Sequence, residues 1–246
     1  MKFSVLTLFP EMFNSIINEG VVARSIKQKL IEIETVQLRN FAENKRKNVD
    51  DHPAGGGDGM VIRADIAQSA LGSIHTPDSI VILTTPRGKI FSHTLAKKLA
   101  QKKHLIFLCG LYAGFDERFI QKNSMLQVSV GDFILSGGEL ASMCMMDSIA
   151  RFIPGTLGNE ESSAQDSFED GLLEAPCYTK PQVFQDEEIP AVLLSGDHKK
   201  INEYKKREQL RVTAQIRPDL IHLLWDKLSR QEKTFVEKIW SRQVVE

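Results

Sequence analysis

The sequence lacks the features of a secreted, metal-binding or membrane-spanning protein. Its three cysteines, Cys109, Cys144 and Cys177, are scattered and form no C-x-x-C pair, which argues against a disulfide scaffold and a structural zinc site. The histidines show no ligand spacing such as H-E-x-x-H. No segment approaches the ~18 consecutive apolar residues of a membrane span. We therefore expect a cytoplasmic chain, in a reducing compartment, that holds no metal through these residues.

Strong charge of one sign is also missing. The chain has 31 Lys and Arg against 32 Asp and Glu, a net charge of −1, so a nucleic-acid partner requires a local basic face. The first residues combine a single Lys with an apolar run broken by Pro10 and Glu11, which favours a first strand over a signal peptide. With 246 residues, 42 % of them hydrophobic, the chain can fill the core of one or two domains.

Short apolar runs alternate with amphipathic segments in the first two thirds of the chain. Several runs are apolar on both faces, as in a parallel sheet covered by helices. The predicted strands are Lys2–Phe9, Ile33–Arg39, Ser79–Thr84, His104–Cys109 and Gln127–Leu135. The predicted helices include Ser92–Lys102 and Gly138–Ile153. This alternation predicts an α/β fold.

The pattern changes after residue 158. Residues 159–171 are acidic, polar and without periodicity, which predicts a flexible linker. Residues 172–246 are mostly helical in pattern, and Ser229 with Glu232 forms a capping box that opens a helix. The sequence therefore predicts an α/β domain over 1–158, a linker, and a small helical domain.

Three glycine-bearing loops, at 55–60, 109–114 and 130–139, follow predicted strands. None matches G-x-x-x-x-G-K-[ST] or G-x-G-x-x-G, and none contains Lys. Such loops suit a ligand without phosphate that the backbone approaches closely, such as an adenosine. The alternative is that they are tight turns in which Gly supplies a positive φ.

Three polar features have both an ordinary and a functional interpretation. Arg151 follows a predicted helix, where a cation complements the helix dipole. Asp166 lies in the acidic linker, where carboxylates are usually solvated. Residues 198–211 contain six Lys or Arg and two Glu, a net charge of +4, which is either a solvated face or a nucleic-acid contact.

Seven longer stretches of sequence are more specific than these patterns. They are LTLFPEMF (6–13), VDDHPAGGGDGM (49–60), CGLYAGFDERF (109–119), VGDFILSGGE (130–139), RFIPGTLG (151–158), DSFEDGLLEAPCYTKP (166–181) and VLLSGDH (192–198). With these strings in this order, the chain resembles the bacterial tRNA (guanine-N1)-methyltransferases of the SPOUT superfamily, which modify guanine 37 beside the anticodon.

The resemblance implies an α/β domain with a deep trefoil knot that holds S-adenosylmethionine. It implies a homodimer with its active sites at the interface, and the anticodon branch of tRNA as partner, with no DNA or membrane partner. Asp166 would be the catalytic base, reaching in from the other subunit, and Arg151 the catalytic arginine. The cofactor contacts would be Thr84, Thr85, Pro86, Gly110, Val130, Gly131, Asp132, Phe133, Ile134, Leu135, Gly137 and Gly138. From the basic run, the expected RNA-binding residues are Lys199, Lys205, Lys206 and Arg207.

Two positions depart from the family pattern. Leu111 stands where a basic residue is usual, and Ala113 stands where Glu is usual. This departure keeps open an RNA-binding protein with weak or no turnover, beside a methyltransferase acting on another RNA site. The acidic linker either offers a weak Mg²⁺ site or is simply a set of solvated, mutually repelling charges.

Overall fold

The computed structural model describes residues 1–157 and 166–243. The chain divides into two compact units, Met1–Glu160 and Glu161–Glu246. Residues 158–165, which include most of the predicted linker and its Glu160 and Glu161, lie outside the described residues.

The first unit is built on a five-stranded sheet in the order β2-β1-β6-β5-β7, and each neighbouring pair is parallel. Its strands are β1 Lys2–Thr7, β2 Glu32–Gln37, β5 Ser79–Ile90, β6 His104–Cys109 and β7 Leu126–Ser129. A two-stranded antiparallel ladder is formed by β3 Asp50–Asp51 and β4 Val61–Ile62. The parallel sheet confirms the predicted α/β class.

Helices cover both faces of this sheet. They are α1 Asn14–Asn18, α2 Gly20–Lys27, α3 Ala64–Ile74, α4 His93–Leu99, α5 Glu117–Lys122 and α6 Glu139–Ala150. One core cluster joins the sheet to α3 and α5, and the other joins it to α2, α4 and α6. The central strand β6 is buried along its whole length because it lies between these two clusters.

The strand and helix ends show how far the apolar pattern could predict them. β1 ends at Thr7 rather than Phe9, because the Thr7 hydroxyl accepts a hydrogen bond from the Phe9 N–H and a 3₁₀ helix begins at Pro10. α4 begins after Ser92, whose side chain caps the Leu95 N–H, so the helix starts where the predicted Ser92–Lys102 segment does. β5 continues past the predicted Thr84, with an irregular register against β7 between Thr84 and Lys89.

The largest difference concerns the predicted strand Gln127–Leu135. β7 ends at Ser129, because Gly131 has a φ of +151° and the Ser129 side chain bonds to both its N–H and its carbonyl oxygen. The mostly apolar residues that follow, Val130–Leu135, therefore form a loop rather than a strand.

The amino end of the sheet holds a buried imidazole. The His104 ring lies 2.9 Å from the Ser4 hydroxyl and 2.7 Å from the Ser79 hydroxyl. Burial lowers the pKa of His104, so the neutral ring is favoured in this setting. These contacts satisfy both ring nitrogens and indicate a structural role for this residue.

The second unit contains three helices, α7 His198–Ile216, α8 Pro218–Leu224 and α9 Arg230–Gln243, and a short hairpin of β8 Val183–Phe184 and β9 Glu187–Glu188. Its core includes Leu172, Leu210 and Val236, with Trp225 and Trp240 stacked beside it. The Ser229–Glu232 capping box is present, since the Glu232 carboxylate accepts from Ser229 and the Ser229 hydroxyl accepts from the Glu232 N–H.

Candidate functional site

The first unit contains a cavity of about 570 Å³, lined by residues at and after the carboxyl ends of strands β5, β6 and β7. We call it the glycine-loop cavity, because its wall includes the loops Gly110–Gly114 and Val130–Gly138. Ligands of open parallel sheets bind at this edge, where loops leave the strands. The volume lies within the usual range of small-molecule sites.

Close backbone packing forms the floor of the cavity. The Gly138 N–H donates to the carbonyl oxygen of Gly110 over 2.9 Å and so joins the two loops. A Cβ at Gly138 would overlap the Thr84 hydroxyl and come within 2.8 Å of the Cys109 Cα. Because strand backbone cannot move away cheaply, this position requires glycine.

We expect the Gly138→Ala variant to bind the expected cofactor, S-adenosylmethionine, at least about tenfold more weakly. The overlap should also destabilise the fold by about 1–3 kcal/mol, as overpacking usually does. Calorimetric titration and thermal unfolding measure the two effects. The control is Gly72→Ala within α3, where a Cβ meets nothing within 4 Å and should leave binding unchanged. Normal cofactor affinity in Gly138→Ala would contradict this view of the floor.

The Val130–Leu135 loop brings apolar side chains to the cavity. The Phe133 ring packs against Gly131, and the Ile134 side chain is 81 % exposed. An apolar loop that leaves large side chains open to solvent can cover a flat aromatic ligand such as adenine. This arrangement suits a nucleoside better than a free phosphate.

Eleven of the twelve expected cofactor residues line the cavity, and Asp132 is the exception. The first glycine loop, 55–59, does not line it. Its four glycines have φ between +80° and +112° and open space at their Cβ positions. These angles fit the alternative interpretation, in which the loop is a tight turn.

Several residues at the cavity were not singled out from the sequence. Arg87 and Glu117 line the cavity and form an ion pair of 2.9 Å, although they are thirty residues apart. Glu139 is 2 % exposed beside the floor, where its Oε1 accepts from the Thr7 hydroxyl over 2.7 Å. Its position directly after two glycines was visible in the sequence, but no spacing rule connects it with Thr7.

Cys109, at the end of β6, packs in the core. It is fully buried with its Sγ 3.2 Å from the Ser142 hydroxyl, and burial raises the pKa of this thiol. The thiolate is therefore disfavoured, and Cys109 acts as a small apolar side chain.

Arg151 lies at the far end of α6 from the cavity. It is the exposed C-cap residue of this helix, and its N–H donates to the Asp147 carbonyl. Because α6 has twelve residues, about 18 Å of helix separates Arg151 from Gly138 at the cavity floor. Arg151 therefore does not reach the cavity of its own chain.

Asp166 belongs to the second unit, in a short turned segment. Its carbonyl oxygen accepts from the Glu169 N–H, and further along Lys206 of α7 forms a 2.8 Å ion pair with Asp170. Burial alone would raise the pKa of Asp170, but hydrogen bonds from Lys206 and the Leu172 N–H bring it below its usual value. The described end of the predicted linker is thus attached to α7.

The basic run forms part of α7, as the sequence predicts. Lys199 is exposed in its first turn, and Arg207 lies over the Phe235 ring at 5.0 Å from the ring centre. Arg211 is engaged by Glu208 at 2.6 Å, so part of the positive charge is internally neutralised. A groove of about 350 Å³ on this unit is lined by Arg207, Arg211 and Arg242, together with Tyr204 and Phe235.

Neither a metal-ligating cluster nor a membrane-spanning helix occurs among the described residues. Over 1–157 and 166–243, no three His, Cys, Asp or Glu side chains gather in a metal-ligating group. Within the same part of the chain, no helix is both long enough and apolar enough to cross a bilayer.

The sequence matches a known protein family and several curated proteins. Residues 1–223 match the family described as tRNA (guanine-1)-methyltransferase TrmD. A curated tRNA (guanine-N(1)-)-methyltransferase of Clostridioides difficile (strain 630) is 44 % identical over 224 residues, covering 89 % of this chain and 97 % of the relative. The enzyme of the same name from Geotalea uraniireducens (strain Rf4) is 42 % identical over 241 residues and covers 97 % of both chains. That from Anoxybacillus flavithermus (strain DSM 21510 / WK1) is 42 % identical over 247 residues, or 98 % of this chain and 99 % of the relative.

Proposed function

Because the chain belongs to the tRNA (guanine-1)-methyltransferase family, we propose that it is an enzyme that methylates N1 of guanine in tRNA, with S-adenosylmethionine as methyl donor. The observation that carries the proposal is the glycine-loop cavity, whose wall contains eleven of the twelve expected cofactor residues. We further propose that the target is guanine 37, and that the enzyme works in the cytoplasm.

The cavity suits this methyl donor. Gly110 and Gly138 let backbone approach a ligand closely, and the exposed Phe133 and Ile134 side chains offer apolar cover for adenine. Among the described residues that line the wall, Arg87 is the one cation and is already paired with Glu117, which agrees with a nucleoside that has no phosphate. Bound there, S-adenosylmethionine supplies an electrophilic methyl group on a positively charged sulfur.

Guanine N1 needs help from the protein before it can accept a methyl group. N1 carries a proton at neutral pH, and a carboxylate within hydrogen-bond reach can remove it, a step usually worth about 10²–10⁴ in rate. We assign this role to Asp166. As N1 loses its proton, negative charge spreads to O6, and we assign the Arg151 guanidinium to stabilise it there. Arginine suits this role because it stays charged and presents a planar fork of donors.

We propose that the active enzyme is a homodimer with each site shared between subunits. The length of α6 supports this arrangement, because a chain's own Arg151 lies about 18 Å of helix away from its own cavity floor. A second subunit can present these residues to the cavity of the first. Asp166 would likewise act at the cavity of the partner, as the family resemblance implies.

Methyl transfer to two tRNA transcripts that differ only at position 37 tests the proposed function. We expect the G37 transcript to gain one methyl group at N1, located by nuclease digestion and mass spectrometry. The A37 transcript should gain none, because adenine carries an amino group in place of the O6 that Arg151 is proposed to stabilise. Its N1 is also an acceptor and offers the Asp166 carboxylate no hydrogen bond. A protein that retains the G37 transcript without modifying it would be an RNA-binding protein. Methylation at another nucleotide would refute position 37.

The basic residues of α7 are proposed to hold the anticodon branch through its phosphates. Lys206 is left unchanged because its ion pair with Asp170 joins α7 to the preceding segment, and we reverse the charge of Lys199, Lys205 and Arg207 to Glu. We expect tRNA affinity to fall at least about tenfold, and its salt dependence to lose about one unit of slope per phosphate contact removed. Filter binding over a salt series measures both.

S-adenosylmethionine affinity should stay unchanged in that variant, because none of the three residues lines the glycine-loop cavity. Lys227→Glu, an exposed change elsewhere in the second unit, is the single-site control. Equal loss of tRNA and cofactor binding would indicate misfolding and would contradict a role confined to the RNA.

A further inference from the structure

The wall of the glycine-loop cavity is almost free of charge. Its lining residues all lie in the described part of the first unit, and among them Arg87 and Glu117 are the two with charged side chains. Leu111 and Ala113, which also line the cavity, bring no charge. Any ligand with charged groups therefore meets one cation and one anion on this wall, placed side by side.

The pair is formed by residues from two different elements. Arg87 lies in the irregular part of β5, directly after the lining residues Thr84–Pro86, and Glu117 is the first residue of α5. The contact joins one guanidinium nitrogen to one carboxylate oxygen, Nη2 to Oε2, over 2.9 Å. The two side chains are 63 % and 50 % exposed, so both can be reached from solvent.

The residues on either side of Glu117 are engaged elsewhere. Asp116 caps the Arg118 N–H and also pairs with the Arg118 guanidinium at 2.7 Å. That pair is formed within the chain turn and does not line the cavity. Glu117 thus differs from Asp116 and Arg118, because its partner Arg87 comes from another element and also lines the cavity.

We propose that Arg87 and Glu117 bind the amino-acid end of S-adenosylmethionine, an inference that rests on the proposed function. The adenosine end of this ligand is neutral, whereas its other end carries an α-carboxylate and an α-ammonium group. Arg87 binds the carboxylate, for which a guanidinium offers two parallel N–H donors, and Glu117 accepts from the ammonium group. The neutral glycine loops then receive the adenosine.

The energetics favour such an exchange of partners. An exposed ion pair contributes little to stability, so separating Arg87 from Glu117 costs little. The ligand returns an opposite charge to each side chain, and its adenosine part displaces water from the wall, which strengthens both contacts. The pair also keeps both side chains near the cavity before the ligand arrives.

Three ligands of graded structure test this inference by calorimetric titration of the full-length protein at low salt. S-adenosylhomocysteine has the same amino-acid end as S-adenosylmethionine, whereas methylthioadenosine lacks that end. We expect Arg87→Gln and Glu117→Gln each to weaken S-adenosylhomocysteine and S-adenosylmethionine about tenfold, the usual effect of losing a charge-assisted contact. Methylthioadenosine affinity should stay within about twofold, which also shows that the variants are folded.

Arg118→Gln is the matched control, because it removes an adjacent exposed arginine that does not line the cavity. It should leave all three affinities unchanged. Undiminished S-adenosylhomocysteine binding in Arg87→Gln and Glu117→Gln, or an equal loss for methylthioadenosine, would overturn the inference while the proposed function stands. Failure of the unaltered protein to bind any of the three compounds would refute the proposed function and the inference with it.

Discussion

The Asp166→Asn variant is expected to methylate tRNA about 10²- to 10⁴-fold more slowly than the unaltered enzyme, with both substrates saturating. Asparagine keeps the size and shape of the side chain but cannot accept the N1 proton of guanine. The Asp166 carbonyl oxygen, which accepts from the Glu169 N–H, is the same in both proteins, so the turn should persist. Single-turnover assays measure the chemical step without contribution from product release.

Cofactor affinity should change far less than the rate in this variant, because the proposed role of Asp166 is toward guanine N1 and within one chain it is not among the residues that line the glycine-loop cavity. The matched control is Glu174→Gln, which removes an exposed carboxylate from the same segment of the second unit. It should keep nearly full activity. Near-normal turnover in Asp166→Asn would show that another group removes the proton.

Mixing two impaired variants, at a cofactor concentration that leaves the Gly138→Ala cavity largely empty, tests whether Asp166 acts across the proposed dimer. A Gly138→Ala subunit has a damaged cavity but an intact Asp166, and an Asp166→Ala subunit has the reverse. If Asp166 serves the cavity of its partner, each mixed dimer holds one complete site, so free exchange of subunits restores about a quarter of full activity. Absence of any recovery, with exchange verified by mass, would place Asp166 at the cavity of its own chain.

The Arg151→Ala variant is expected to lose about 10²–10³ in the rate of the chemical step, the usual effect of removing one donor from a developing oxyanion. Arg151→Lys should recover part of this loss, because lysine keeps the charge but not the planar fork. Substrate affinities should change less than the rate, since the proposed role matches the guanidinium to charge that develops in the transition state.

The ordinary alternative for Arg151 predicts a different result. As the exposed C-cap of α6, a cation there stabilises the helix dipole by about 0.3–1 kcal/mol. If that were its whole role, Arg151→Ala would unfold at a slightly lower temperature and keep its turnover. Comparing unfolding curves with single-turnover rates for the same preparations separates the two roles.

Much of the first unit could be predicted from sequence because its signals are local. β6 matches the predicted His104–Cys109 residue for residue, since an apolar run buried on both faces has a distinct composition. The caps at Ser92 and Ser229 were predictable for the same reason, because each depends on side chains within three residues. The predicted strand Gln127–Leu135 was wrong beyond Ser129. Val130–Leu135 has the apolar side chains typical of a strand, but they serve as part of the cavity wall.

By itself, the sequence determined the α/β class and the candidate residues, because apolar periodicity, caps and long matching strings are all read along the chain. Which of those residues are in contact could be seen only in the tertiary structure. It joined Arg87 to Glu117 across thirty positions, placed Glu139 against Thr7, and set Arg151 at the opposite end of α6 from the cavity floor. Contacts between residues far apart in sequence depend on strand order and loop path, which no local pattern encodes.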